Sequence, residues 1–160
     1  MHLAKIGRNL IKGPFCELDA IPLMTTFVGN RRILVPAKSG IIIGDDVTLG
    51  TGVIINHGVK RPTTIGDRVY IWHKSVVGHD CIIEDDVVVG VGVCISGEVR
   101  IGEYSYIGVG SVISPRVSIG KYCMIGAGSN VIHDTVIPDG EVWCGNPAKK
   151  LRLNEWRPPT

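Results

Sequence analysis

Ile65-Gly66-Asp67-Arg68-Val69-Tyr70, Ile71-Trp72-His73-Lys74-Ser75-Val76 and Val77-Gly78-His79-Asp80-Cys81-Ile82 are consecutive six-residue units of one pattern. An aliphatic residue opens each unit, and the series continues through Ile83, Val89, Ile95, Ile101, Ile107, Ile113, Ile119, Ile125 and Val131 to Ile137. Four places after each opening stands a small or β-branched residue, among them Val69, Ser75, Cys81, Val87, Val99, Ser105, Val117 and Cys123. Glycine recurs in the second place, at Gly66, Gly78, Gly90, Gly102, Gly108, Gly120 and Gly126. A helix needs apolar spacings of three and four, and a half-buried strand needs alternation by two; a period of six satisfies neither. It suits a short strand followed by a corner, repeated so that three strands close one triangular turn and inward aliphatics stack about 4.8 Å apart. Glycine would cost a helix roughly 1 kcal/mol at each occurrence. The expected fold is all-β, a parallel β-helix.

Upstream, the same phase holds at Ile43, Leu49 and Ile55, with Val47, Val53 and Val59 in the small places. Ile55 and Ile65 are ten residues apart rather than six, so four extra residues, about Arg61 to Thr64, make a corner loop beside Lys60. Insertions in solenoids map to loops on one face, often the binding face. Before Lys38 no clean period is visible; Pro14, Pro22 and Pro36 interrupt, and Ile33-Leu34-Val35 reads as an irregular first strand. The expected division is an irregular N-terminal cap over 1–40, a β-helix domain over 41–140 and a C-terminal cap and tail over 141–160. Such a tail covers the open end of the solenoid.

The 160 residues fit one domain, and a 44% hydrophobic content supplies a continuous core. A net charge of +2 without a basic stripe interleaved with aromatics argues against a nucleic-acid partner. No apolar run has the length of a membrane span or a signal peptide, so no membrane association and a cytoplasmic location are expected. The five cysteines show no CxxC spacing, and Cys81 and Cys123 fall in the inward small place, as core residues rather than disulfides or metal ligands.

The repeat also indexes the histidines. His57, His73, His79 and His133 all take the third place of a unit, just past a corner, where a side chain faces solvent. Once the inserted loop is discounted, His57 lies one coil below His79 on the same edge. His133 lies three coils above it, roughly 14 Å by strand spacing. His79 is followed by Asp80, suited to hold the ring and fix its tautomer, and Gly97 stands one coil above with an unshielded backbone N–H, a candidate oxyanion donor.

Val77-Gly78-His79-Asp80-Cys81-Ile82-Ile83, the Ile95-Ser96-Gly97 that follows and the closing Gly145-Asn146-Pro147-Ala148-Lys149 resemble the hexapeptide-repeat acyltransferases, which have a left-handed β-helix. The nearest resemblance is to the sialic acid O-acetyltransferase type and the bacillosamine-pathway sugar-nucleotide N-acetyltransferases, with the lipid A acyltransferases a step further off. It covers Ile43 to about Arg152. It alone implies left-handed winding, since crossover physics favours the right hand. It also implies a homotrimer with acetyl-CoA as co-substrate in the groove between subunits. His79 would be the general base, Asp80 its orienter and the Gly97 amide the donor to the thioester oxygen. Val109, Gly110, Ser111, Ala127 and Gly128 would contact the pantetheine through backbone atoms, and Lys149, Lys150 or Arg152 the phosphates. The closing Gly-Asn-Pro-Ala-Lys separates acetyl-CoA users from the lipid A enzymes, which use acyl carrier protein. No metal is implied.

The sequence departs from the family at the acceptor side. Val88 and Trp72 stand where some members carry histidine and asparagine, and no strand with GxGxxG precedes the repeat. Trp72 and His73 are candidates for stacking a sugar ring. His57, followed by a loop and Pro62-Thr63-Thr64-Ile65-Gly66, resembles the galactoside and maltose acetyltransferase branch; it is a candidate substrate contact and the alternative base. The function expected is acetyl transfer from acetyl-CoA to an amino or hydroxyl group of a sugar, nucleotide-linked or a precursor of surface polysaccharide. Two other classes compete. A trimeric scaffold would keep the fold without the chemistry. A γ-type zinc carbonic anhydrase needs three histidines meeting at a subunit interface, and the 57, 73, 79, 133 spacing does not reproduce its pattern.

Overall fold

The computed structural model describes residues 5–20, 24–28, 31–35 and 39–158, with side chains described at 5–18 and 39–158. It is a left-handed parallel β-helix of two- and three-residue strands on three faces. Face A stacks Lys5–Ile6, Ile41–Ile43, Thr63–Ile65, Ile82–Ile83, Arg100–Ile101, Ser118–Ile119 and Val136–Ile137. Face B runs from Ile11–Lys12 through Tyr70–Ile71 and Tyr106–Ile107 to Glu141–Gly145 and Ala148–Leu153. Face C stacks Glu17–Ala20, Ile54–Asn56, Val76–Val77, Cys94–Ile95, Val112–Ile113 and Asn130–Val131. Each coil pairs in register with the next, so Ile55, Val77, Ile95, Ile113 and Val131 form one column.

The unit-opening aliphatics and the small residues four places on fill the interior at 0–2% exposure from Ile43 to Ile137, Cys81 and Cys123 among them; Val59, drawn into the inserted loop rather than inward as expected, and Thr135 on the last coil are half-buried. All five cysteines are free thiols. Serine at an inward place would leave a buried hydroxyl, and the stacking satisfies it. Ser75 Oγ donates to the Gly90 carbonyl (2.8 Å) and accepts the Val93 N–H (3.1 Å). With burial complete at Ile101, Ile101→Ala is expected to lower the unfolding free energy by about 2–5 kcal/mol, read from denaturant melts.

The corners turn at the fourth place of each unit. Arg68, Lys74, Asp80, Asp86, Glu98, Tyr104, Arg116, Tyr122 and Asp134 all take φ between 54° and 63°. The second-place glycines answer a different need. A Cβ on Gly78 would lie 2.6 Å from the Ser96 carbonyl carbon on the coil above, so close coil packing excludes a side chain there.

The N-terminal end departs from expectation. Residues 5–20, expected within an irregular cap, form a further coil: Ile6 pairs with Ile43, Lys12 with Leu49 and Glu17 with Ile54. Lys12 stands where an aliphatic would mark the period, which a terminal coil facing solvent tolerates. Ile33-Leu34-Val35 belongs to an antiparallel hairpin of Met24–Val28 with Arg31–Val35, an excursion from the solenoid rather than its first strand. Pro22 and Pro36 lie outside the described residues. At the other end Ala148–Leu153 folds back antiparallel on Glu141–Gly145, and Asn154 binds the Gly140 and Tyr122 carbonyls (2.7 and 2.8 Å). No helix among the described residues is long and apolar enough to cross a membrane.

Candidate active site

The corner between faces C and A carries His57, His79, Gly97, Pro115 and His133 in register, one to a coil. His79 follows Val77 and Gly78 around the corner, and the left-handed φ of Asp80 (59°) turns its carboxylate back onto the ring. His79 Nδ1 lies 2.7 Å from Asp80 Oδ2. The side chains are 15% and 1% exposed, so the aspartate is buried and the imidazole reaches solvent by one edge.

The inserted loop holds that carboxylate. The N–H groups of Val59, Lys60 and Arg61 all donate to Asp80 Oδ1, at 2.9, 2.8 and 2.9 Å, and Arg61 Nε donates to the Asp80 carbonyl at 3.1 Å. Gly58 makes the turn tight enough: a Cβ there would meet the Arg61 carbonyl oxygen at 1.6 Å. Burial works to raise the Asp80 pKa, but the Arg61, Lys60 and Val59 amides and the His79 ring together outweigh it and hold the group below the usual carboxylate range. Lys60 Nζ also pairs with Glu98 Oε2 at 2.9 Å, linking the loop to the coil that bears Gly97.

With an anionic acceptor at Nδ1, the neutral form of the ring places its proton there and keeps a lone pair on Nε2. Gly97 is the residue over that nitrogen. A Cβ on Gly97 would lie 2.2 Å from His79 Nε2, and among the described residues no group accepts the Gly97 N–H. A base and an amide donor thus share one small space.

Asp80 supplies a pH test. A carboxylate whose folded pKa is depressed contributes stability above its unfolded pKa, near 3.9, and loses it as pH falls through the lower folded value. The wild type is therefore expected to lose thermal stability in acid below about pH 4, and Asp80→Asn to lose less over the same window. The same variant, with an amide N–H able to face Nδ1, is expected to slow turnover by roughly a hundredfold or more.

The other candidates are less concentrated. His133 repeats the His79 arrangement in the open: its Nδ1 is 2.9 Å from Asp134 Oδ2, with the side chains 69% and 53% exposed. His73 is a corner brace whose Nδ1 accepts the Thr51 N–H at 2.8 Å. Trp72 is exposed and its ring lies 6.4 Å from Tyr70 and 5.9 Å from His73. Trp72, His73, Val109, Gly110, Ala127 and Gly128 share the corner between faces B and C, so within one chain face C separates them from His79. The Ser111 side chain points inward and donates to the Gly126 carbonyl at 3.0 Å. Lys150 is engaged by Glu141, and Arg152 donates to the Leu153 carbonyl; Lys149 is exposed on the same edge strand. The residues that sequence reading missed are Val59, Lys60 and Arg61, which act through backbone amides; the phase slip at the insertion is the signal that marks them. No group of three metal-ligating side chains converges among the described residues of one chain.

The bacterial transferase hexapeptide (six repeats) model matches residues 62–97 and 98–137, and the hexapeptide repeat of succinyl-transferase model matches 26–57. The UDP-3-O-acylglucosamine N-acyltransferase of Methylorubrum extorquens is 30% identical over 93% of the chain and 42% of its own length. Gamma carbonic anhydrase 2, mitochondrial, of Arabidopsis thaliana is 35% identical over 71% of the chain and 34% of its own length. The chain thus spans less than half the length of these relatives. A crystal structure of a UDP-N-acetylglucosamine acyltransferase superposes with TM-score 0.85 at 29% identity, covering 96% of this chain and 57% of that one. A variant of perosamine N-acetyltransferase from Caulobacter crescentus, in complex with CoA and GDP-perosamine, is similar at TM-score 0.55 and 31% identity over 69% of this chain and 53% of that one. Repeat, three-faced solenoid and the matched models agree: the chain belongs to the hexapeptide-repeat family of bacterial transferases.

Proposed function

We propose that the protein is an acetyltransferase that moves acetyl from acetyl-CoA to an amino or hydroxyl group of a sugar, nucleotide-linked or a precursor of surface polysaccharide. The observation that carries the reading is the buried His79–Asp80 pair (2.7 Å), with Asp80 fixed by three loop amides and Gly97 over Nε2. His79 Nε2 takes the proton of the acceptor as its nitrogen or oxygen attacks the thioester carbon. The Gly97 N–H receives the developing oxyanion. As the carbon–sulfur bond breaks, the CoA thiolate takes the proton from the imidazolium, leaving acetylated sugar, free thiol and neutral His79. Asp80 stabilises the imidazolium between these steps.

The CoA-bound perosamine N-acetyltransferase and the closing Gly145-Asn146-Pro147-Ala148-Lys149 favour acetyl-CoA over an acyl carrier protein as donor. A homotrimer supplies the second wall. Ile54, Val76, Cys94 and Val112 make an uncharged outward column on face C, continued by exposed Val91 and Val109 at the B–C corner. Packing that corner against the C–A corner of the next subunit would set Val109, Gly110, Ala127 and Gly128 across from His79. A thiol-release assay with acetyl-CoA against UDP-, dTDP- and GDP-linked amino sugars tests the reading. Release of free CoA with at least one acceptor is expected; CoA binding without release across the panel would point to another acceptor class.

The likeness to a γ carbonic anhydrase favours one second reading, a zinc site completed between subunits. Stoichiometric zinc in the purified protein, with CO2 hydration and no acetyl transfer, would establish it in place of the first.

A further inference from the structure

The geometry points to Arg116, His133 and Asp134 as a binding site for the diphosphate of the acyl donor, a role no comparison assigns; we propose it on the acetyl-CoA reading above. Val131-Ile132-His133-Asp134 repeats Val77-Gly78-His79-Asp80 at the same corner, three coils higher. The two pairs differ in surroundings. Asp80 is buried under the inserted loop, whereas Asp134 is met by an exposed guanidinium: Arg116 Nε and Nη2 donate to its two oxygens at 2.6 and 3.0 Å. That contact uses two of the five N–H donors of Arg116, and His133 Nε2 is likewise uncommitted among the described residues. One carboxylate thus holds the guanidinium, whose remaining N–H groups are charge-assisted donors to an anion, beside an imidazole that donates from Nε2 only in its protonated form.

The spacing selects the anion. Three coils place His133 about 14 Å above His79. In a CoA thioester about thirteen covalent bonds separate the sulfur from the nearer phosphorus, and an extended chain advances about 3.5 Å per three bonds, which gives roughly 15 Å. Below His79 the corner is occupied by the loop whose amides bind Asp80, so the open direction runs up past Gly97 and Pro115. A thioester held between His79 and Gly97 therefore brings its diphosphate level with Arg116 and His133. Of the sequence-based phosphate candidates Lys149, Lys150 and Arg152, all on face B, Lys150 is engaged by Glu141 and Arg152 by the Leu153 carbonyl.

Titration calorimetry of the intact protein with CoA and with pantetheine, which lacks the diphosphate, tests the site without needing the acceptor. Wild type is expected to bind CoA at least about tenfold more tightly than pantetheine. Arg116→Gln with His133→Asn is expected to remove most of that gap while leaving pantetheine binding and the melting temperature unchanged. CoA bound equally well by wild type and double variant would overturn the site and leave the acetyl-CoA reading standing. Failure of the wild type to bind CoA at all would overturn both.

Discussion

His79→Ala is expected to slow acetyl transfer by roughly 10²–10⁴-fold, the range for loss of a positioned general base. The acceptor must lose a proton as it attacks, and the ring is the group whose Nε2 is left unprotonated by Asp80 and lies beside an amide donor. The loss belongs in kcat rather than in donor binding, because the imidazole meets only the reacting atoms. Folding is expected to survive. Asp80 would still accept three loop amides, so the substitution leaves no buried carboxylate unpaired. Parallel measurement of kcat, CoA affinity and melting temperature separates these effects, and a uniform collapse of all three would indicate a structural rather than a chemical role.

Gly97→Ala should fall nearly as far, by about 10²–10³-fold in kcat: the amide N–H is kept, but the base it works with is displaced, a loss on the scale of removing one oxyanion donor. The backbone at Gly97 does not take a left-handed conformation, so alanine is tolerated there on conformational grounds. Space is the obstacle. The added Cβ would stand 2.2 Å from His79 Nε2 and 2.5 Å from Cε1, so the ring must swing away. Base and donor are then disturbed by one methyl group. Rescue of turnover by a small exogenous base such as imidazole would locate the damage at His79 rather than at the amide.

Much of this was legible because the fold is a ruler. A six-residue period converts sequence separation into height, so His79 and Gly97, eighteen residues apart, fall on one corner before any coordinates are drawn. The inward places were equally readable, since each admits only aliphatic or small side chains. What escaped was what the period does not encode. Lys12 hid the first coil by taking an inward place at the solvent-exposed end. Val59, Lys60 and Arg61 hid the clamp on Asp80 because a backbone N–H is present in almost every residue and leaves no compositional mark. Ser111 occupies the inward fifth place that the period marks, and its hydroxyl serves the Gly126 carbonyl there. Val109 and Ala127 lie on a different corner from His79, which is why the proposed function calls on a second subunit to complete the groove.

The loop gives the insertion a physical purpose. It binds one oxygen of Asp80 and leaves the other to His79, so both oxygens of the orienting group are assigned. His133 and Asp134 have no such loop, and the exposure of that pair shows what the corner looks like without one.

The central claim is direct transfer of acetyl from CoA to a sugar at the His79 corner, with no acetylated protein between. Mass spectrometry of protein and small molecules, after incubation with acetyl-CoA and the nucleotide-linked amino sugars, tests it most directly. The account predicts one acetyl group gained by a sugar, dependent on His79, and an unmodified protein throughout. An acetylated protein that forms without acceptor and discharges when acceptor is added would contradict it.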